Sequence, residues 1–436
     1  MKTRNASSLL VAFSLTALQN NTSLMRVIIK VQLFIDFKTQ NSKLHSIMTT
    51  TSDHKTNPSI AIIGGGIAGL STAIALQKIG FQPIVFEAAS QIKALGAGLL
   101  LAANAIKGFE RIGIADKIIP AGQQLSQFAI LDQQGKPISE ADSKALSEQY
   151  GLHNFAIHRA DLHQVLMTEL KGIPLKTGKK ATHLIQNEDD VTVYFEDGSQ
   201  HSTPYIIVAD GIHSAIRQQL LPESQPRYAG YTCWRAVVDN PGLTLNAATE
   251  TWGSAGRMGI VPLANNKIYW FLCINAPQCD STIKAYKTAD LASRFKDYHA
   301  PISQLLQATR DEQLIWSDII DLKPIQKYAF GRVLLLGDAA HATTPNMGQG
   351  ACQAIEDAAV LLDECEKMEG DFAPVFQNFE RRRLQRTHTI VNRSWIIGKV
   401  AQWTNPFLIE LRNRAFRLIP SSVNERQMAF LYQTDF

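Results

Sequence analysis

The chain has 436 residues, 45% of them hydrophobic, and a formal charge of +4; it is longer than one ordinary domain, and its composition fits a globular protein with a sizeable core, not a disordered or fibrous one. The charge misleads: residues 1–47 hold Lys2, Arg4, Arg26, Lys30, Lys38 and Lys43 against Asp36 alone and so carry +5, which leaves −1 for the rest. A near-neutral body argues against a nucleic-acid partner.

Residues 1–57 read as an extension ahead of the first folded element. Met1-Lys2-Thr3-Arg4 followed by Leu9-Leu10-Val11-Ala12-Phe13 has the pattern of a short secretory leader, but no clear small-residue cleavage site follows. Met48 stands just before the polar run that leads into the first strand. A mis-chosen start or a disordered segment is expected over export. No later apolar run is long enough to cross a bilayer, so no integral membrane segment is expected. Cys233, Cys273, Cys279, Cys352 and Cys365 are scattered and lack metal-ligand spacing. They predict reduced thiols in a cytoplasmic setting and no metal site. The nearest pair in sequence, Cys273 and Cys279, reads as structural.

Ile60-Ala61-Ile62-Ile63 predicts a buried strand, and Gly64-Gly65-Gly66-Ile67-Ala68-Gly69 turns it into a helix from Leu70 to Ile79. Pro83-Ile84-Val85-Phe86-Glu87 is a second strand that ends in an acid. In that context Gly64 permits the tight turn, Gly66 lets backbone approach a pyrophosphate, and Gly69 lets the helix pack on the sheet. Glu87 is placed to bind ribose hydroxyls. The alternative is an ordinary α/β turn with three fortuitous glycines. Leu99 to Ile112 passes into a helix, Ser126 to Ser139 reads as a hairpin, and Ala156 to Leu162 ends a strand and opens a helix. Val191 to Phe195 and the strand at Tyr205 predict an antiparallel excursion. Tyr205 to Val208 then runs into Asp210-Gly211 and a helix carrying Arg217: strand, acid–glycine turn, helix once more.

Tyr231 to Val238, Thr249 to Trp252, Met258 to Leu263 and Lys267 to Ile274 alternate apolar and polar residues. They predict an antiparallel sheet flanked by a helix from Leu291 to Leu306. Val333 to Leu336 reads as a buried parallel strand, and Gly337 to Gly350 carries it into a long helix over Ala351 to Glu366. A carboxylate at a strand end (Asp338), a turn broken by Pro345 and glycines at a helix start make a site for a polar ring system. The helix start adds unpaired N–H groups and partial positive charge. Phe372 to Trp403 predicts a long basic helix, and Pro406 to Leu431 a shorter helical tail.

With these three motifs in this order, the chain resembles the single-component FAD-dependent monooxygenases of the para-hydroxybenzoate hydroxylase type. Within them it is similar to the urate hydroxylase and zeaxanthin epoxidase branch, through Thr344-Pro345-Asn346-Met347-Gly348-Gln349-Gly350 and Arg227-Tyr228-Ala229-Gly230-Tyr231. The resemblance implies an α/β fold. A Rossmann-like FAD-binding domain would lie in two parts (58–225 and 326–370), with an inserted antiparallel-sheet substrate domain (226–325) and a C-terminal helical segment (371–436). It implies bound FAD, NAD(P)H as a transient co-substrate, and O2. The product would be a hydroxylated or epoxidised aromatic or conjugated small molecule, formed through a flavin hydroperoxide by a monomer or homodimer.

The same resemblance assigns Gly64, Gly66, Gly69 and Glu87 to the adenosine half. It places Arg159 and Asp338 near the pyrophosphate and ribityl chain and Gly348, Gln349, Gly350 and Ala351 beneath the isoalloxazine ring, with Asp210 and Pro345 as further cofactor-binding residues. Arg217 and Tyr228 match substrate-activating positions, and Arg235 offers an anion contact. Structural readings remain beside these: Arg217 as the anchor of its turn, Arg159 in a surface ion pair, His213 and His341 as satisfied histidines. Tyr231-Thr232-Cys233-Trp234-Arg235 departs from the urate-type pattern and puts urate in doubt. Trp234, Trp252, Trp270, Phe271 and Met258 are candidates for an apolar pocket wall, with at least half expected to face away from the flavin. Two other functions share the motifs: an FAD-dependent reductase or oxidase without oxygen insertion, and a non-catalytic flavin-binding protein.

Overall fold

Strands Val333–Leu335, Tyr205–Val208, Ser59–Ile63, Gln82–Phe86 and Leu175–Lys176 lie side by side and parallel, and Ala329–Phe330 adds an antiparallel edge. Their near-continuous apolar runs suit strands covered on both faces, and every residue of Tyr205–Val208 is buried. The computed structural model describes residues 59–92, 96–142, 153–245, 247–367, 372–419 and 429–436; the expected extension lies outside them. Because the strands are parallel and adjacent, the turns after Ile63, Val208 and Leu335 leave from one edge of the sheet. The three motifs are thereby brought together at the carboxyl ends, where α/β sheets bind ligands.

The second large sheet has seven strands in the order Ile315–Leu322, Pro226–Asp239, Lys267–Asn275, Arg257–Leu263, Ala248–Trp252, Gln127–Asp132, Pro137–Asp142. The last two correct the expected boundary: the 126–139 hairpin sits inside the span read as the first FAD-binding part, yet it joins this sheet. Phe128 to Asp132 pairs in parallel with Ala248 to Trp252, whose edge would otherwise present unpaired backbone groups. A further difference concerns Tyr205–Val208, which belongs to the parallel sheet. The excursion beside it is a separate three-stranded sheet of Ala181–Gln186, Val191–Phe195 and Gln200–Thr203.

Alternation gives the seven-stranded sheet two distinct faces. Trp234, Met258 and Trp270 point to the back, where they pack with Leu291, Phe295, Ile302 and Leu305 from the flanking helices. Those helices are Thr288–Arg294 and Ile302–Gln307, two pieces where one was expected. Val261 and Tyr269 point to the front and meet Leu100, Leu125 and Ala156 of the cofactor part. Helices Phe372–Ala401 and Pro406–Arg417 complete the described chain together with residues 429–436.

Candidate active site

The first turn is built for backbone proximity. A Cβ at Gly64 would lie 2.3 Å from the Ala209 carbonyl oxygen, and one at Gly69 would lie 1.9 Å from that of Gly64. Neither position admits a side chain. At Gly66 a Cβ would meet nothing within 4 Å, so this residue borders open space, not protein. Glu87 is oriented by the Gly65 amide at 2.6 Å and the Ala89 amide at 2.8 Å, one to each carboxylate oxygen. Each oxygen retains a lone pair for a hydroxyl donor. His163, which the sequence reading did not single out, fixes the Gly65 carbonyl at 2.9 Å.

In the second turn Asp210 leaves Oδ1 buried and without a partner among the described residues, and burial pushes its carboxyl up to about 6 against the opposing pull of Ser214. Such an orphaned acceptor invites a hydroxyl or N–H donor. Arg217 behaves differently from its expected substrate-activating role. It is 0% exposed, and its guanidinium is spent on Ser224, the Ala339 carbonyl at 3.3 Å and the Ile212 carbonyl at 2.6 Å. It staples the second turn to the third.

The third turn carries Asp338 on its outer side, reached by solvent although the surrounding chain raises its carboxyl, with His341 and Arg159 pulling the other way. Arg159 opens the helix Arg159–Glu169, an unfavourable place for a cation on dipole grounds alone. Beneath the loop, helix Gly350–Lys367 makes its first backbone bond from the Gln353 amide to Gln349, so the amides of Gly350 and Ala351 have no intrahelical acceptor.

A buried polar network supports that helix start. His341 bonds Asp357 at 2.7 Å, Asp357 also accepts from the Gly337 amide, and Arg383 bridges Asp357 and Glu356 at 2.6 and 2.7 Å. Burial raises the Asp357 carboxyl, but His341 and Arg383 outweigh it and hold it below the usual range. His341 is thus a satisfied structural histidine. Glu356, Asp357 and Arg383 escaped the sequence reading. Their only local trace is two adjacent acids in an otherwise apolar stretch of helix, because the balancing arginine lies far along the chain.

Across from the loop stands the front of the seven-stranded sheet. Leu100 lies 3.4 Å from a Cβ built at Gly348 and belongs to the same apolar group as Val237, Tyr269 and Phe271. Among the five aromatic and Met candidates, Phe271 is the one placed here and half-buried. Trp234, Trp270 and Met258 face the back, and Trp252 packs on Ile138 and Ala401. Arg235 is half-buried on this front face and donates to Ser317 Oγ at 3.0 Å.

Tyr228 donates to the Ala276 carbonyl at 2.7 Å, and burial pushes its hydroxyl up to about 12, which disfavours the phenolate. Tyr228 and Arg235 stand seven positions apart, roughly 20 Å along the strand, and Arg217 is sealed in a turn. The three residues expected to be catalytic therefore do not converge. Cys233 and Cys273, distant in sequence, are directly opposed and buried on neighbouring strands, while all five cysteines are free. Among the described residues no cluster of His, Cys, Asp or Glu is arranged to hold a metal, and no helix is long and apolar enough to cross a membrane.

The donors and acceptors present fit FAD: open space at Gly66, an oriented carboxylate at Glu87, the orphaned Asp210 oxygen, and free amides at a helix start. Comparison with known proteins agrees. The profile of the FAD-binding-domain family matches residues 57–391. Aurachin C monooxygenase/isomerase of Stigmatella aurantiaca is 36% identical over 368 residues, covering 84% of this chain and 96% of that protein. The 2-heptyl-3-hydroxy-4(1H)-quinolone synthase of Pseudomonas aeruginosa is 30% identical over 373 residues, with coverage of 84% and 96%. Among solved structures, Klebsiella pneumoniae HpxO complexed with FAD and uric acid superposes with a TM-score of 0.78 at 29% identity, covering 86% of this chain and 96% of that one. The chain belongs to the FAD-binding-domain family and is an FAD-dependent monooxygenase that takes an aromatic or heteroaromatic small molecule.

Proposed function

We propose that this monooxygenase hydroxylates an uncharged, bicyclic N-heteroaromatic ring of the 4-quinolone type. The balance is substrate–H + O2 + NAD(P)H + H⁺ → substrate–OH + H2O + NAD(P)⁺. The observation that carries this reading is the wall opposite Gly348: apolar through Leu100, Val237 and Phe271, with Arg235 as the half-buried cation on that face. Such a wall suits a flat apolar ring with one carbonyl oxygen for Arg235 to orient, more than a ring as polar as urate. Two relatives support it by their names, one for aurachin C and one for a 3-hydroxy-4-quinolone.

FAD, when bound, accepts the hydride and activates O2. In this reading the Gly64–Gly69 turn borders its pyrophosphate and Glu87 takes the ribose hydroxyls. Arg159, Asp210 and Asp338 line the phosphate and ribityl side. Gly348 to Ala351, with Pro345 and Gln349 shaping the turn, would hold the ring system through amides and a helix start that favour an anionic group. The apolar wall excludes water from the reacting centre. Reduced thiols and a nicotinamide supply favour the cytoplasm.

The test offers purified flavoprotein a panel of 2-alkyl-4-quinolones and purines under ¹⁸O2. Quinolone-stimulated NAD(P)H oxidation with one ¹⁸O in the product supports the reading. Stimulation by urate and not by quinolones sinks it.

A further inference from the structure

Asn346, two residues ahead of Gly348, spends its whole amide on three parts of the molecule. Its Oδ1 accepts from the Tyr231 hydroxyl at 3.0 Å and from Arg257 Nη2, both on the front of the seven-stranded sheet. Its Nδ2 donates to Thr344 Oγ1 within the loop and to the Ser394 carbonyl on the long C-terminal helix, each at 2.8 Å. Arg257 is 2% exposed and pairs with Glu250 at 2.9 Å, while its Nε is buried with no partner among the described residues. Its guanidinium lies 5.1 Å from the centre of the Tyr231 ring.

As a stabilising device this arrangement is poor. Buried ion pairs are often replaced by apolar residues of similar volume without loss, and an unpaired buried N–H is unfavourable. What the cation does supply is a directional tie between two bodies. Arg257 stands on the seven-stranded sheet, and Asn346 lies in the Pro345–Met347 turn proposed to hold the flavin ring. Leu100 fills the gap between Gly348 and the front-face residues.

We propose that Arg257 is a positioning residue. Through Asn346 it holds the Pro345–Gly348 turn at a fixed distance from the front of the substrate sheet, and so keeps the space between ring and Phe271 closed to water. It touches neither substrate nor cofactor in this role. The consequence is tight coupling of NAD(P)H oxidation to oxygen insertion, with little peroxide released. This rests on the chain being a flavin monooxygenase and not on the quinolone reading, because the first readout needs no substrate.

The experiment uses holoenzyme variants and the visible circular dichroism of bound FAD. Arg257→Met combined with Glu250→Gln removes both charges at similar volume and keeps an acceptor for the buried Trp252 indole, so the fold should survive. Its flavin dichroism should change without any substrate present, and, with whichever compound of the quinolone and purine panel stimulates NAD(P)H oxidation, peroxide released per NAD(P)H oxidised should rise by about tenfold, as expected when reacting groups shift by a fraction of an ångström. Asn346→Leu should change both readouts in the same sense and by more, since it also gives up the bonds to Tyr231, Thr344 and Ser394, and its effect in the double variant should be smaller than its effect alone, because the Arg257 link is already cut there. Arg257→Lys keeps the cation, the Glu250 pair and the fold, and should show a smaller change of the same sign. Wild-type dichroism and peroxide yield in every folded member of this set would overturn the proposal, whatever happens to Tm.

Discussion

The two large sheets present their functional groups in opposite ways. The parallel sheet works from its edge: Gly64, Asp210 and Asp338 follow three adjacent strands, and the atoms on offer are mainly backbone amides and carboxylates fixed by them. The antiparallel sheet works from one face, where Arg235, Phe271, Val237 and Tyr231 alternate with residues that build an unrelated core behind. An edge site tolerates almost no change in its glycines and acids. A face site tolerates exchange of side chains while its backbone stays put. One sheet can thus keep the cofactor constant while the other varies the substrate.

Breaking the edge should have the largest effect. Gly66→Val adds a side chain that clashes with nothing in the protein and fills the open space proposed to take the pyrophosphate. The variant should fold normally and purify colourless; full flavin content would refute the edge description. Asp338→Ala removes an acceptor without blocking space, so FAD affinity should fall by about 1–3 kcal/mol, measured by titrating apoprotein.

The face should respond separately. A Cβ at Gly259 would sit 2.0 Å from the Phe271 ring. Gly259→Ala should therefore swing that ring into the substrate space and raise the substrate KM by about tenfold, equivalent to roughly 1.4 kcal/mol, with FAD content unchanged. Loss of flavin in this variant would mean the two sheets are not independent. Smallest of all is Tyr228→Phe, which forfeits one bond to the Ala276 carbonyl, about 0.5–1.5 kcal/mol of stability. Since that hydroxyl is pushed up to about 12, it holds its proton throughout the neutral range. The pH profile of kcat between pH 6 and 9 should be unaltered, and loss of a rise in rate with pH would restore Tyr228 as a base.

Much of the edge was legible because its chemistry is local. A strand, a glycine turn and a helix occupy consecutive residues, and the need for backbone approach restricts Gly64 and Gly69 whatever lies elsewhere. The acids at 87, 210 and 338 follow apolar runs, so their place at strand ends could be read directly. Arg217 was legible only as an ambiguity: the same residue in the same helix start serves as anchor or substrate contact, and the Ala339 carbonyl that settles it lies 122 residues away.

By itself, the sequence determined the α/β class, the flavin cofactor and the position of every motif turn, since each depends on neighbours within a few residues. The tertiary structure alone decided which face of the second sheet meets the cofactor. Alternation separates Trp234 from Arg235 but does not say which side is covered by helices. It also decided that the 127–142 hairpin completes that sheet, that Cys233 opposes Cys273, and that Arg257 reaches Asn346. Those pairings join residues 40 or more positions apart, and at such separations register and layer packing, not local pattern, choose the partner.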